Sequence, residues 1–168
     1  MSSDSSPVQV YVYDLSGGLA RAMSQGILGR QIDGVWHTGI VAFGQEYFFG
    51  GTTGIEACAP GGTILGNPTQ KVDLGVTEIP FDVFMDYLHE LAQTSFRAET
   101  YHLFHHNCNN FSSEVAQFLT GKDIPSHITS LPQDVLSTPF GAMIQPFVES
   151  MHVQGGHSPF QSSNNPPN

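Results

Sequence analysis

In the segment Phe104-His105-His106-Asn107-Cys108-Asn109-Asn110-Phe111-Ser112-Ser113-Glu114-Val115, a cysteine stands where a helix is expected to begin, with polar side chains on both sides of the sulfur. A helix start presents unpaired N–H groups and the positive end of the macrodipole, and both favour an ionised sulfur. Cys108 is therefore the candidate nucleophile, expected as a poised thiolate. Its base must come from elsewhere in the chain, because neighbours along a helix point away from one another. Of the eight histidines, His37 is the candidate. Gly34-Val35-Trp36-His37-Thr38-Gly39-Ile40-Val41 sets it at a strand start, where bulky Trp36 is expected to fix the ring and exclude water.

A strand histidine facing a helix-start cysteine is the geometry of papain-like hydrolases. Here the histidine precedes the cysteine, so the order reads as permuted. No third member can be assigned, and the centre is read as a dyad. The oxyanion of an acyl intermediate is expected to meet the Cys108 N–H and one further donor, for which the Asn107 side chain is the candidate. The competing reading of Cys108 is an inert buried thiol. That description fits Cys58, between Ala57 and Ala59, far better. His102, His105 and His106 invite a metal reading with Cys108, but their spacing lacks the paired clips that close a zinc site, so no metal or cofactor is expected. One of the three is expected to pack or hydrogen-bond near the active-site loop. His89, His127, His152 and His157 read as surface residues.

These residues need elements to hold them. Val8 to Tyr13 reads as a strand, Leu19 to Met23 with Ile27-Leu28 as a short helix, and Trp36 to Phe43, Glu46 to Phe49 and Ile55 to Ala59 as an antiparallel meander punctuated by glycines. Val72 to Ile79 is a further strand candidate. From Phe81 the apolar period becomes helical through Phe84, Met85, Leu88 and Leu91, with Pro80 at its start. The helix begun at Cys108 continues through Phe111, Val115, Phe118 and Leu119 to a stop at Gly121, and its inward side carries Cys108. Pro132 to Ser137 and Phe140 to Met151 are shorter helical candidates. A strand-rich first half and a helix-rich second half predict an α+β fold, with one catalytic domain over 7–152 and a disordered tail over 153–168.

The chain has 168 residues, two cysteines and a formal net charge of −10. That charge argues against nucleic acid, whose phosphates need clustered cations. Two cysteines make no disulfide framework and fit a reducing compartment, so a cytoplasmic and nuclear location is expected. No apolar run approaches the roughly 20 residues of a membrane span, and the first residues do not read as a secretion signal. A soluble, unsecreted protein is expected.

Together GVWHTGIV, EYFFGGTTGI, PGGT, YHLFHHNCNNFSSEVAQFLTG and IPSHITSLP resemble the PPPDE family, the permuted papain-fold peptidases, over nearly everything from Val8 to Pro146. On that resemblance His37 and Cys108 fall on the family's catalytic dyad. It implies hydrolysis of the isopeptide bond between the C-terminal glycine of the modifier SUMO and a substrate lysine, with SUMO and SUMO-conjugated proteins as partners. It also implies a homodimer with the active site in a groove between subunits. A tail ending in two glycines needs a narrow slot, for which Trp36 and the run Phe48-Phe49-Gly50 are the expected walls.

The same dyad would serve an S-palmitoyl thioesterase or another acyl hydrolase, since both reactions pass through an acyl-enzyme. A wide apolar groove would favour that alternative. Finally, Val83 to Leu91 and Phe140 to Met151 carry the spaced apolar residues of nuclear export signals, so a nuclear export receptor is a candidate partner.

Overall fold

The computed structural model describes residues 4–50, 53–139 and 143. The helical candidate Phe140 to Met151, Met143 apart, and the tail 153–168 lie outside the described residues. The elements are β1 (Ser6–Asp14), α1 (Leu19–Leu28), β2 (Trp36–Ala42), β3 (Gln45–Gly50), β4 (Gly54–Cys58), β5 (Gln70–Thr77), α2 (Phe81–Gln93), a 3-10 turn (Ala98–Thr100), α3 (Cys108–Thr120), α4 (Ser126–Thr129) and α5 (Leu131–Leu136). The five strands among the described residues all precede α2, as the change of period predicts, and the fold is mixed α/β.

The sheet is antiparallel with strand order β4-β3-β2-β1-β5. β2, β3 and β4 form the expected meander. β1 sits between β2 and β5, a long-range pairing that no local pattern announces. The β2–β3 hairpin turns on two residues with positive φ, Phe43 at 52° and Gly44 at 77°, a conformation that suits the right-handed twist of the strands. Phe is strained there. Its ring is held 5.5 Å from Phe81 and 5.3 Å from Phe84, and this packing offsets the strain.

Strand alternation gives the sheet two different faces. Val8, Val10, Val12, Ile40, Ala42, Tyr47, Phe49, Ile55, Ala57 and Leu74 meet Phe84, Leu88 and Leu91 of α2 and Phe111, Val115 and Leu119 of α3 in the main core. The α2 stripe from Val83 to Leu91 is thus chiefly a core face, because three of its apolar residues are spent on burial. The other face carries Tyr13, His37, Glu46, Phe48 and Cys58, all buried. There Phe48 and Cys58 pack with Leu15 and Leu65.

The second face contains a carboxyl group in an apolar setting. Glu46 accepts the Tyr13 hydroxyl at 2.9 Å on both oxygens and the Gly61 N–H at 2.8 Å. Burial raises its pKa, and the two donors only partly oppose that. Gly39 makes the room. A Cβ there would stand 2.5 Å from Glu46 Oε2. Gly39→Ala is therefore expected to lower stability by about 1–3 kcal/mol, the cost of overpacking a filled interior, in urea unfolding. A midpoint equal to that of the unmodified chain would contradict the packing described.

Candidate active site

The first turn of α3 is built by its own sequence. Asn107 Oδ1 accepts the N–H groups of Asn109 at 2.9 Å and Asn110 at 3.3 Å, while Asn110 Oδ1 accepts the Asn107 N–H at 2.9 Å. This reciprocal capping box satisfies N–H groups that a helix start would otherwise leave open. The Asn107 Nδ2 group donates to the Leu103 carbonyl. Asn107 is thus first a cap, and since Leu103 takes one of its two amide hydrogens, the other is left for the expected donation to an oxyanion.

Cys108 follows the cap and is 6% exposed. Burial pushes its thiol up to about 11, although the backbone N–H groups of Thr38, Asn109 and Cys108 itself face the sulfur and pull the other way. The expected poised thiolate is corrected to a neutral thiol, because desolvation outweighs the helix start. Cys58 is buried equally and its thiol is likewise pushed up to about 11, chiefly by burial. The expected contrast in acidity between the two cysteines is absent.

His37 is 1% exposed and lies between the rings of Tyr13 at 5.7 Å and Phe48 at 5.5 Å. Burial pushes its pKa down to about 3, so the imidazole is neutral. Its Nε2 is buried without a hydrogen-bond partner. Trp36 does not clamp this ring, contrary to expectation. The indole folds back over Gly34, where a Cβ would stand 2.4 Å away, and meets the exposed His127 edge-on at 5.9 Å. Tyr13 and Phe48 take the clamping role instead, because side chains along β2 alternate and Trp36 and His37 point to opposite faces.

His37 and Cys108 both open into one cavity of about 490 Å³. Leu15, Val35, Leu65, Leu103, Leu131 and Trp36 give it mostly apolar walls. Trp36 is a wall, as expected. Phe48 and Phe49 are not: Phe48 backs His37, and Phe49 lies in the core beside Phe96, Tyr101 and Phe111.

One site residue was missed by sequence reasoning. Asn109 is 4% exposed, and its Nδ2 donates to the Trp36 carbonyl at 3.0 Å while its Oδ1 accepts the Thr38 hydroxyl at 2.8 Å. The same Oδ1 accepts the Cys108 thiol at 3.7 Å. The available signal was its place on the buried side of α3 with Ser112 and Ala116, at three- and four-residue steps.

The neighbouring histidines serve the loop before α3. His106 stacks on Phe96 at 4.5 Å and its Nε2 meets the Ser95 carbonyl, while His102 Nδ1 accepts the N–H groups of Phe104 and His105. His89 is exposed, and His152 and His157 lie outside the described residues. Among the described residues no cluster of His, Cys, Asp and Glu is arranged to hold a metal ion. No helix among them is long and apolar enough to cross a membrane.

A family model described as "PPPDE putative peptidase domain" matches residues 6–149. The chain is 56% identical over 154 residues to "Desumoylating isopeptidase 1" of Rattus norvegicus, covering 90% of this chain and 91% of that one. It is 55% identical over 154 residues to the protein of that name from Homo sapiens, with the same coverage, and 52% identical over 147 residues to that from Xenopus laevis, covering 88% and 86%.

The buried neutral imidazole makes stability depend on acid. Its folded pKa of about 3 lies below the unfolded value of 6.5, so as pH falls below 6.5 the unfolded chain binds a proton that the folded chain refuses. Stability from this group is complete above 6.5 and is lost toward pH 3 by up to about 1.4 kcal/mol per pH unit. Urea midpoints between pH 7 and pH 4.5 are expected to fall more steeply for the unmodified chain than for His37→Phe. Parallel slopes would refute the neutral assignment.

Proposed function

This chain belongs to the PPPDE peptidase family, and on that premise we propose that it is a cysteine isopeptidase that removes SUMO from lysines of conjugated proteins. We read its fold as a permuted papain-like one, with the histidine strand before the cysteine helix, and its catalytic domain as residues 7–152. The observation that carries the residue roles is that a buried imidazole at a strand start and a buried thiol at a helix start open into the same cavity.

In this reading His37 removes the thiol proton and the Cys108 sulfur attacks the carbonyl carbon of the terminal glycine. The carbonyl oxygen becomes the oxyanion, for which the backbone N–H groups of Cys108 and Thr38 beside the sulfur are the candidate donors. Collapse of the intermediate breaks the C–N bond, and the imidazolium returns its proton to the lysine amine. Water, deprotonated by the same imidazole, then hydrolyses the thioester. No hydrogen bond joins His37 to Cys108 among the described contacts, so the first proton transfer belongs to a substrate-bound geometry; catalytic contacts commonly tighten in that state.

A second reading, S-palmitoyl thioesterase, is favoured by the cavity walls. A diglycine tail brings peptide N–H and C=O groups that need partners, whereas the apolar lining suits an acyl chain at about 0.8 kcal/mol per buried CH₂. Both substrates would form the same kind of acyl-enzyme. The proposal includes SUMO-conjugated proteins as partners, a homodimer, and residence in the cytoplasm and nucleus. It leaves Phe140 to Met151 as the segment for an export receptor, since the α2 residues are spent on the core.

Cys108→Ser is expected to abolish release of SUMO from a conjugated protein, and His37→Ala to reduce it by about 10²–10⁴-fold with the fold intact. Equal release by Cys108→Ser and the unmodified chain would overturn the isopeptidase reading. Filling the cavity with Leu131→Trp separates the two readings. Cleavage of an S-palmitoyl peptide is expected to fall at least tenfold while SUMO release changes less, and an equal fall in both would remove the acyl-chain role of the cavity.

A further inference from the structure

The two elements that carry the dyad are joined by one side chain. Asn109 follows the nucleophile, and its two hydrogen bonds to β2 land on Trp36 and Thr38, the residues on either side of His37. The orientation of its amide is fixed by chemistry. The Trp36 carbonyl can only accept, so Nδ2 faces it and Oδ1 is left facing the Thr38 hydroxyl and the Cys108 thiol.

From this bridge we propose that Asn109 is a positioning residue of the catalytic centre, holding the Cys108 thiol in register with His37 through β2 and accepting the thiol hydrogen in the resting state. The proposal rests on the dyad reading above. It adds a residue that sets where the nucleophile stands and which protonation state the free chain favours. An oxygen acceptor beside a sulfur stabilises S–H and disfavours S⁻, because a thiolate has no hydrogen to offer and repels the amide oxygen. The Oδ1 contact is therefore made in the ground state and given up when the sulfur attacks. The bonds to Trp36 and Thr38 involve no reacting atom and persist through the reaction. Thr38 contributes from both ends, with its hydroxyl on Oδ1 and its backbone N–H toward the sulfur.

The expected consequences separate positioning from simple support. Asn109→Ala, where folded, should lower kcat for release of SUMO from a conjugated protein at least tenfold with KM within about twofold, since a misplaced nucleophile costs rate more than binding. Its Cys108, followed by iodoacetamide labelling and mass spectrometry of the Cys108 peptide, should titrate at a lower pH than in the unmodified chain. Asn109→Asp places a negative charge beside the sulfur and should move that midpoint upward. Thr38→Ser keeps the hydroxyl and should retain activity, whereas Thr38→Val should lose at least fivefold.

Unchanged kcat and labelling midpoint in folded Asn109→Ala would overturn the proposal. If that variant does not fold, equal kcat and equal midpoints for Thr38→Ser and Thr38→Val would overturn it instead. The labelling profile needs no substrate. A chain that cleaves neither conjugate nor thioester would defeat the functional reading while leaving the effect of Asn109 on the thiol measurable.

Discussion

The docking of the first turn of α3 onto the start of β2 is the constraint on which the site depends. A helix start and a strand start both carry backbone groups without partners of their own, and here each supplies what the other lacks. Trp36 offers a carbonyl, Thr38 a hydroxyl and an N–H, and Asn109 a side chain with one donor and one acceptor. Asn107 and Asn110 accept each other's N–H groups, and Asn107 also accepts that of Asn109. The tandem asparagines around Cys108 are therefore a set with divided duties. Asn107 and Asn110 make the helix begin where it does, and Asn109 fixes which strand it begins against.

The same docking explains why Cys108 is held as a thiol. A helix terminus is worth about 0.3–1 kcal/mol to a nearby charge at the surface, and about 2 kcal/mol in favourable partly buried geometry. Removing a sulfur anion from water costs several kcal/mol unless it is paired. The capping box spends part of the terminus, since the Asn109 N–H already meets Asn107 Oδ1. His37 cannot supply the missing charge, because it is buried between Tyr13 and Phe48 with Nε2 unpartnered. Two neutral groups in one apolar cavity cost less than an ion pair there, and that balance decides the resting state.

The division between what was legible in the sequence and what was not follows from distance along the chain. The meander, α2, α3 and its Gly121 stop were legible because each depends on a local period or a local cap. His37 and Cys108 were legible as candidates because each lies at the start of an element and their types suit acyl transfer, and the fold brings both to one cavity. The roles of Asn107 and Asn109 were not separable, since both are polar neighbours of the sulfur and only the position of β2 distinguishes them. The packing of Tyr13 on His37 depends on the β1–β2 register, and the pairing of β1 with β5 crosses most of the first half of the chain. Phe48 and Phe49 read alike in sequence, yet strand alternation sends one behind the imidazole and the other into the main core. The thiolate expectation failed because sequence shows the helix start but not the depth at which it is buried.

A neutral thiol beside a neutral imidazole also bears on what the centre can cleave. Attack in an apolar cavity creates charge only as the S–H proton moves to the imidazole, so the imidazolium appears together with the oxyanion it offsets. With a lysine amine as leaving group, that proton is needed again, because an amine leaves as a neutral molecule only after protonation. With a cysteine thiolate as leaving group it is not, since a thiol of pKa near 8.5 gives a weakly basic anion that leaves unaided, whereas an unprotonated lysine nitrogen would have to leave as the far more basic amide anion. In the proposed mechanism His37 is thus used twice in acylation by an isopeptide and once in acylation by a thioester. The dyad is common to both reactions, and its dependence on the imidazole is not. Substrate choice then rests on the walls, where Leu15, Val35, Leu103 and Leu131 offer area and few hydrogen bonds. A peptide tail seated there must bring its backbone partners from SUMO or from a second surface, while an acyl chain needs none.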